Sequence, residues 1–147
     1  MIEAIEIIPD LWIGNLESYV NLGFQEENNI TCLIDGHTDL NFWGKFKEYN
    51  EPIKHNIVKY EVTKMCKYLM EVTEYIHHNL KNNKVILVYC NNCIQISPTI
   101  VLAYILRYGE VNISTGLQII RSKFSKAFQP NLDFSFAIKQ FYKNIIF

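Results

Sequence analysis

Arginine is nearly missing from this chain of 147 residues: 12 of its 14 basic residues are Lys, and only Arg107 and Arg121 carry a guanidinium. The planar fork that grips a phosphate from two sides is therefore available at two positions at most. Neither sign of charge dominates, the net charge being -1 at pH 7. That excludes the broad basic surface with which proteins hold nucleic acid or an anionic membrane. No apolar run reaches the ~20 residues of a membrane-spanning helix. The opening Met1-Ile2-Glu3-Ala4-Ile5-Glu6 puts acids where a secretory leader carries basic residues. Repeats, low-complexity stretches and linkers are absent too. What the chain has is 49% apolar and 20% charged residues, too hydrophobic for a disordered segment. The expectation is one soluble domain over residues 1–147. Its expected location is the cytoplasm (or the nucleus, or a host cytoplasm if the Ile-, Asn- and Lys-rich, AT-biased sequence is viral). No cofactor and no metal is expected, since His77-His78 with Glu71 and Glu74 reads as a solvated polar helix face.

The four cysteines, Cys32, Cys66, Cys90 and Cys93, are expected to be reduced thiols. Cys32 lies in a strand-like run and Cys66 in a helix-like one, so both are expected as small buried hydrophobes.

Ile5 to Ile8 and Leu11 to Ile13 read as two short strands around a Pro9-Asp10 turn. Residues 16–29 suggest one or two short helical turns broken at Gly23. Thr31 to Asp35 is a buried strand, residues 37–52 (with His37, Phe42, Trp43 and Phe46) a loop with some helix, and His55 to Tyr60 a further strand. Met65, Leu69, Val72, Ile76 and Leu80 then mark one face of a helix, stopped at Asn82-Asn83. Lys84 to Tyr89 is a continuous apolar run, the pattern of a strand buried on both faces. A helix follows from Pro98 to about Tyr108, with Ser97 as N-cap and Gly109 as terminator. Ile113, Leu117, Ile120 and Phe124 mark the next, and Phe134, Ile138, Phe141 and Ile145 the last. The expected fold is α/β: a central, mostly parallel, twisted sheet flanked by helices.

Between the buried strand and the capped helix lies Cys90-Asn91-Asn92-Cys93-Ile94-Gln95-Ile96-Ser97. A short loop leading from a strand into a helix start gathers backbone N–H groups around one point and adds the positive end of the helix dipole. A cysteine at its beginning is favoured as thiolate by the same field. A thiolate beside an oxyanion pocket is the equipment for attacking phosphorus.

Val85 to Ser97 and the following Thr99 to Leu106 resemble the signature segment of the dual specificity protein phosphatases. There a strand ends in His-Cys, five residues separate Cys from Arg, and Ser or Thr follows. The resemblance also takes in Ile8-Pro9-Asp10-Leu11-Trp12-Ile13-Gly14-Asn15, Arg121, and Pro130-Asn131 with Phe134. It implies a phosphatase-like fold, Cys90 as nucleophile, Ser97 as the loop hydroxyl, and residues 91–97 as the phosphate cradle. Three positions depart from the signature. Ile96 replaces the Arg, Cys93 a loop Gly, and Tyr89 the His. The family's general-acid Asp, on a loop after the strand expected at 55–60, has no equivalent here. Glu61 is the carboxylate within reach, as an inward-facing acid or as a solvated strand-end residue.

Losing two charge-assisted hydrogen bonds of about 1.5–3 kcal/mol each lowers a rate by a factor of about 10² to 10⁴. The leading expectation is therefore a pseudophosphatase, inactive or severely impaired, that acts by binding phosphoproteins or other protein partners, with no nucleic acid or membrane involved. Two alternatives stay open. One is an active cysteine-dependent phosphatase with an atypical loop, Lys64, Lys123 or Lys126 supplying charge. The other is a Cys90/Cys93 thiol–disulfide redox protein, from the C-x-x-C at a strand–helix junction.

Overall fold

The computed structural model describes residues 1–36 and 62–146 in full and the backbone alone over 55–61. Strands β1 (Ala4–Ile8) and β2 (Leu11–Gly14) form an antiparallel hairpin. Asp10 turns it at φ 68°, its N–H held by the Glu6 carboxylate at 3.0 Å, a left-handed position that Asp tolerates. With β3 (Cys32–Asp35) and β4 (Ile86–Tyr89) they make a four-stranded sheet in the order β1-β2-β4-β3, in which β4 runs parallel to both its neighbours. The α/β, mostly parallel architecture is thus the one expected. The apolar run at β4 is the central strand, and all four of its residues are buried.

One face of the sheet carries the main core, built by α3 (His55–Lys81), α4 (Ile96–Gly109) and α6 (Ser135–Ile146), with α5 (Ile113–Lys123) against α4 and β1. Met65, Leu69 and Ile76 of α3, Ile100 to Leu102 of α4 and Phe141 of α6 are completely or almost completely buried there. Arg107 pins α4 to α3, donating from Nη1 to the Met70 carbonyl (2.8 Å) and Thr73 Oγ1 (3.1 Å). The short helices α1 (Leu16–Val20) and α2 (Leu22–Glu27) cover the opposite face near β4 and β2.

Four expectations need correction. The strand at His55 to Tyr60 is the first turns of α3. Its β-branched residues favour a strand in isolation, but no Gly or Pro interrupts residues 55–81 and buried Val62 carries the helix face on from Met65, so packing decides for helix. Glu61 consequently lies within a helix, and no loop follows a strand there. Helix α4 begins at Ile96 rather than Pro98, with Gln95 as its N-cap and no side-chain cap, and Glu110 rather than Gly109 takes the left-handed position after it. The break between α1 and α2 falls at Asn21, whose side chain accepts from Phe24 N–H at 2.8 Å, and Gly23 is inside α2. Cys32 is half-buried rather than buried, with its Sγ 3.8 Å from the Tyr75 hydroxyl, whereas Cys66 is buried as expected. The loop at 37–52, with His37, Phe42, Trp43 and Phe46, lies outside the described residues.

Candidate functional site

The sheet delivers Cys90 to the end of its central strand. The Cys90 N–H bonds the Gly14 carbonyl at 3.0 Å, and Gly36 N–H bonds the Tyr89 carbonyl at 2.9 Å, so the start of the loop is held between the ends of β2 and β3. Both glycines are required by close approach. A Cβ on Gly14 would lie 2.3 Å from Ser18 Oγ, and one on Gly36 would lie 2.9 Å from Ile96 Cγ2 and 3.0 Å from the Tyr89 carbonyl oxygen.

From Cys90 the chain turns back into α4. Cys90 Sγ lies 3.2 Å from Ser97 Oγ and accepts the Ser97 N–H at 3.4 Å, and both side chains are buried. Ser97, expected as a helix cap, faces the thiol instead. Asn92 Oδ1 accepts the Ile94 N–H at 3.1 Å. The Ile94 carbonyl accepts from Phe128 N–H at 2.8 Å, and the Asn91 carbonyl from Leu16 N–H at 3.5 Å. Cys93 adopts φ 53°, a left-handed conformation that burdens any residue with a Cβ by about 1–2 kcal/mol. This is the backbone that a glycine at the position would adopt freely.

Gln95 is the strap that sequence spacing does not disclose. Its Nε2 donates to the carbonyls of Gln129 (3.2 Å) and Asn131 (2.8 Å), while its Oε1 accepts from Asp133 N–H (3.1 Å). One amide thereby ties the loop to the segment that leads into α6. Glu3 is the other residue the sequence gave no reason to place here. Cys93 Sγ points at its Oε1 (3.7 Å) and Lys126 Nζ meets its Oε2 (3.3 Å). Only the fold of β1 beside the loop joins positions 90 residues apart.

Burial first, and then the Glu3 carboxylate, push the Cys93 thiol from its ordinary 9.0 up to about 12. Burial alone pushes Cys66 up to about 11. In both, the folded pKa exceeds the unfolded one, so the proton is held more tightly by the folded chain. The contribution is whole below pH 9 and is lost as pH rises, by about 1.4 kcal/mol per unit for each thiol. The urea midpoint is expected to fall between pH 9 and 10, where tyrosines in the unfolded chain are only partly ionised, and Cys66→Ala is expected to reduce that slope.

Tyr89 is raised as well, through burial and then the Asp35 carboxylate, and its ring stacks on Tyr19 at 4.1 Å and 8°. Ile96, the first residue of α4, is partly buried against the core. Both guanidiniums have partners outside residues 90–97. Arg107 is spent on α3, and Arg121 Nε donates to the Ala127 carbonyl at 3.3 Å, its guanidinium over the ring of Phe128.

The family model for the dual specificity phosphatase catalytic domain matches residues 11–144. The chain belongs to the dual specificity phosphatase family. Among curated relatives, it is 28% identical over 142 residues to the 123R protein of Invertebrate iridescent virus 6, a tyrosine phosphatase by name, covering 95% of this chain and 92% of that one. It is 24% identical over 147 residues to human dual specificity protein phosphatase 9, spanning 96% of this chain and 36% of that longer one. Among solved structures, the human tyrosine phosphatase-like serine/threonine/tyrosine-interacting protein superposes with a TM-score of 0.73, at 18% identity and 98% of both chains, a likeness of fold. In this chain Cys90 and Ser97 are in mutual contact, and position 96 is aliphatic.

Proposed function

We propose that this dual specificity phosphatase relative is a pseudophosphatase: inactive or severely impaired in turnover, and working by binding phosphoproteins or other protein partners in the cytoplasm. The observation that carries this reading is Ile96. The position at which the family's Arg would clamp two phosphate oxygens holds a side chain with no donor, and the chain's two arginines are both engaged elsewhere. An apolar group there strips water from an anion without replacing the lost partner.

Cys90 keeps the place of the nucleophile, with Ser97 N–H and hydroxyl beside its sulfur. In an active relative of this geometry the thiolate attacks phosphorus, the ester oxygen leaves with a proton from a general acid, and water then splits the thiophosphate. Here charge on the equatorial oxygens lacks its clamp. Residues 60–64, where the resemblance puts the family's acid, lie in α3 and carry Glu61 as their one carboxylate, and general acid help is worth roughly 10² to 10⁴. The two losses compound. Thiol–disulfide exchange is disfavoured by Cys93, whose raised pKa leaves little thiolate at neutral pH.

Purified protein is expected to turn over a generic aryl phosphate at a rate indistinguishable from its Cys90→Ser variant. A wild-type rate well above that control overturns the reading and restores an enzyme with an atypical loop.

A further inference from the structure

Residues 1–44 contain eight Asp and Glu and no Lys or Arg, whereas all 14 basic residues follow, accompanied by seven acids. Helices α1 and α2 fall in this acidic part, and they expose large apolar side chains close together: Leu16 (45%), Tyr19 (38%), Val20 (64%) and Leu22 (70%). Singly exposed aliphatic residues are ordinary on a protein surface, but four within seven positions make a patch.

The face is built rather than frayed. Buried Gln25 donates its side-chain amide to the carbonyls of Ser18 (3.1 Å) and Tyr19, joining α2 to α1. Asn15 and Asn21 cap the two helices. Leu33 on β3, in register with Leu87, is exposed too. Glu26, one turn beyond Leu22, and Glu27 border the patch, both exposed and without an ion-pair partner among the described residues. Glu17, in the first turn of α1, is met by the terminal ammonium of Met1. The patch adjoins the loop, since Leu16 N–H reaches the Asn91 carbonyl and Tyr19 stacks on Tyr89, the residue before Cys90.

We propose that this acid-rimmed apolar face docks a basic amphipathic segment of a partner protein. Aliphatic side chains of the segment sit on Leu16, Val20 and Leu22, and its Lys or Arg groups meet Glu26 and Glu27. The assignment rests on the reading of the chain as a binding protein and adds the partner's chemistry. Charge complementarity selects this occupant. A symmetric dimer through the same face sets acid against acid, and an anionic membrane is repelled by it.

The test uses the full chain with two synthetic amphipathic peptides of identical Leu spacing, one carrying Lys and its twin Glu on the polar side, followed by fluorescence anisotropy. The Lys peptide is expected to bind at least about tenfold tighter than the Glu twin and to weaken as salt rises. Val20→Asp with Leu22→Asp is expected to lower its affinity at least about tenfold with the thermal melt unchanged, and Glu26→Lys with Glu27→Lys to transfer the preference to the Glu peptide. Binding of neither peptide, equal binding of both, or indifference to Val20→Asp/Leu22→Asp overturns the assignment. A wild-type dimer in sedimentation that the same double variant abolishes gives the face to a second copy and overturns it too. These outcomes are independent of aryl phosphate turnover, so a failed docking face and a failed pseudophosphatase reading are told apart.

Discussion

Ile96→Arg combined with Cys93→Gly is expected to raise aryl phosphate turnover by a factor of about 10² to 10⁴ over the wild-type chain. Arg at the start of α4 places two donors toward the loop, each charge-assisted bond worth about 1.5–3 kcal/mol, and in the transition state both face oxygens whose charge has grown. The second substitution is needed because Cys93 holds φ 53° with its sulfur against Glu3, which fixes the loop. Glycine adopts that backbone freely and releases the contact. Ile96→Arg alone is expected to recover less. Cys90→Ser in the double variant is expected to abolish the gain, tying it to the thiol. A folded double variant no faster than wild type would show that position 96 is not the limiting defect, and would shift the weight to the general acid.

The sheet was legible because its patterns are local. The continuous apolar run before Cys90 is a buried central strand, and the alternation around Pro9-Asp10 is a hairpin. The placement of the candidate loop was legible because it is contiguous, eight residues from Cys90 to Ser97 between a strand and a helix. The start of α3 was not, since a short β-branched window has no way to report the helical face it joins further along. The partners of the loop were hidden for a different reason. Glu3, Tyr19, Phe128 and Gln129 reach it only through the tertiary fold, and a glutamine such as Gln95 shows nothing in sequence of the three backbone groups it binds. That position 96 is aliphatic could be read from the sequence alone. That both arginines are committed to backbone carbonyls elsewhere could not.

Phe128→Ala is expected to destabilise the chain by about 3–5 kcal/mol, a large part of the roughly 5–15 kcal/mol that holds a domain together. Its ring is completely buried, Arg121 lies 5.8 Å from the ring centroid, and its N–H holds the Ile94 carbonyl at 2.8 Å. The residue also sits at φ 64°, and that sets a sharper test. At an ordinary position Gly is less stable than Ala by about 0.5–1 kcal/mol. In the left-handed region Ala carries about 1–2 kcal/mol of strain that Gly does not. Phe128→Gly is therefore expected to unfold at a higher urea concentration than Phe128→Ala, reversing the usual order, and the opposite order would mean that the segment relaxes out of this conformation once the ring is gone. Because Phe128 supports the loop from behind, both variants are also expected to alkylate Cys90 faster than wild type under native conditions, where that thiol is 2% exposed. Faster alkylation in the folded variants places the support of the loop in the ring beneath it, since both variants keep the residue 128 N–H that bonds the Ile94 carbonyl.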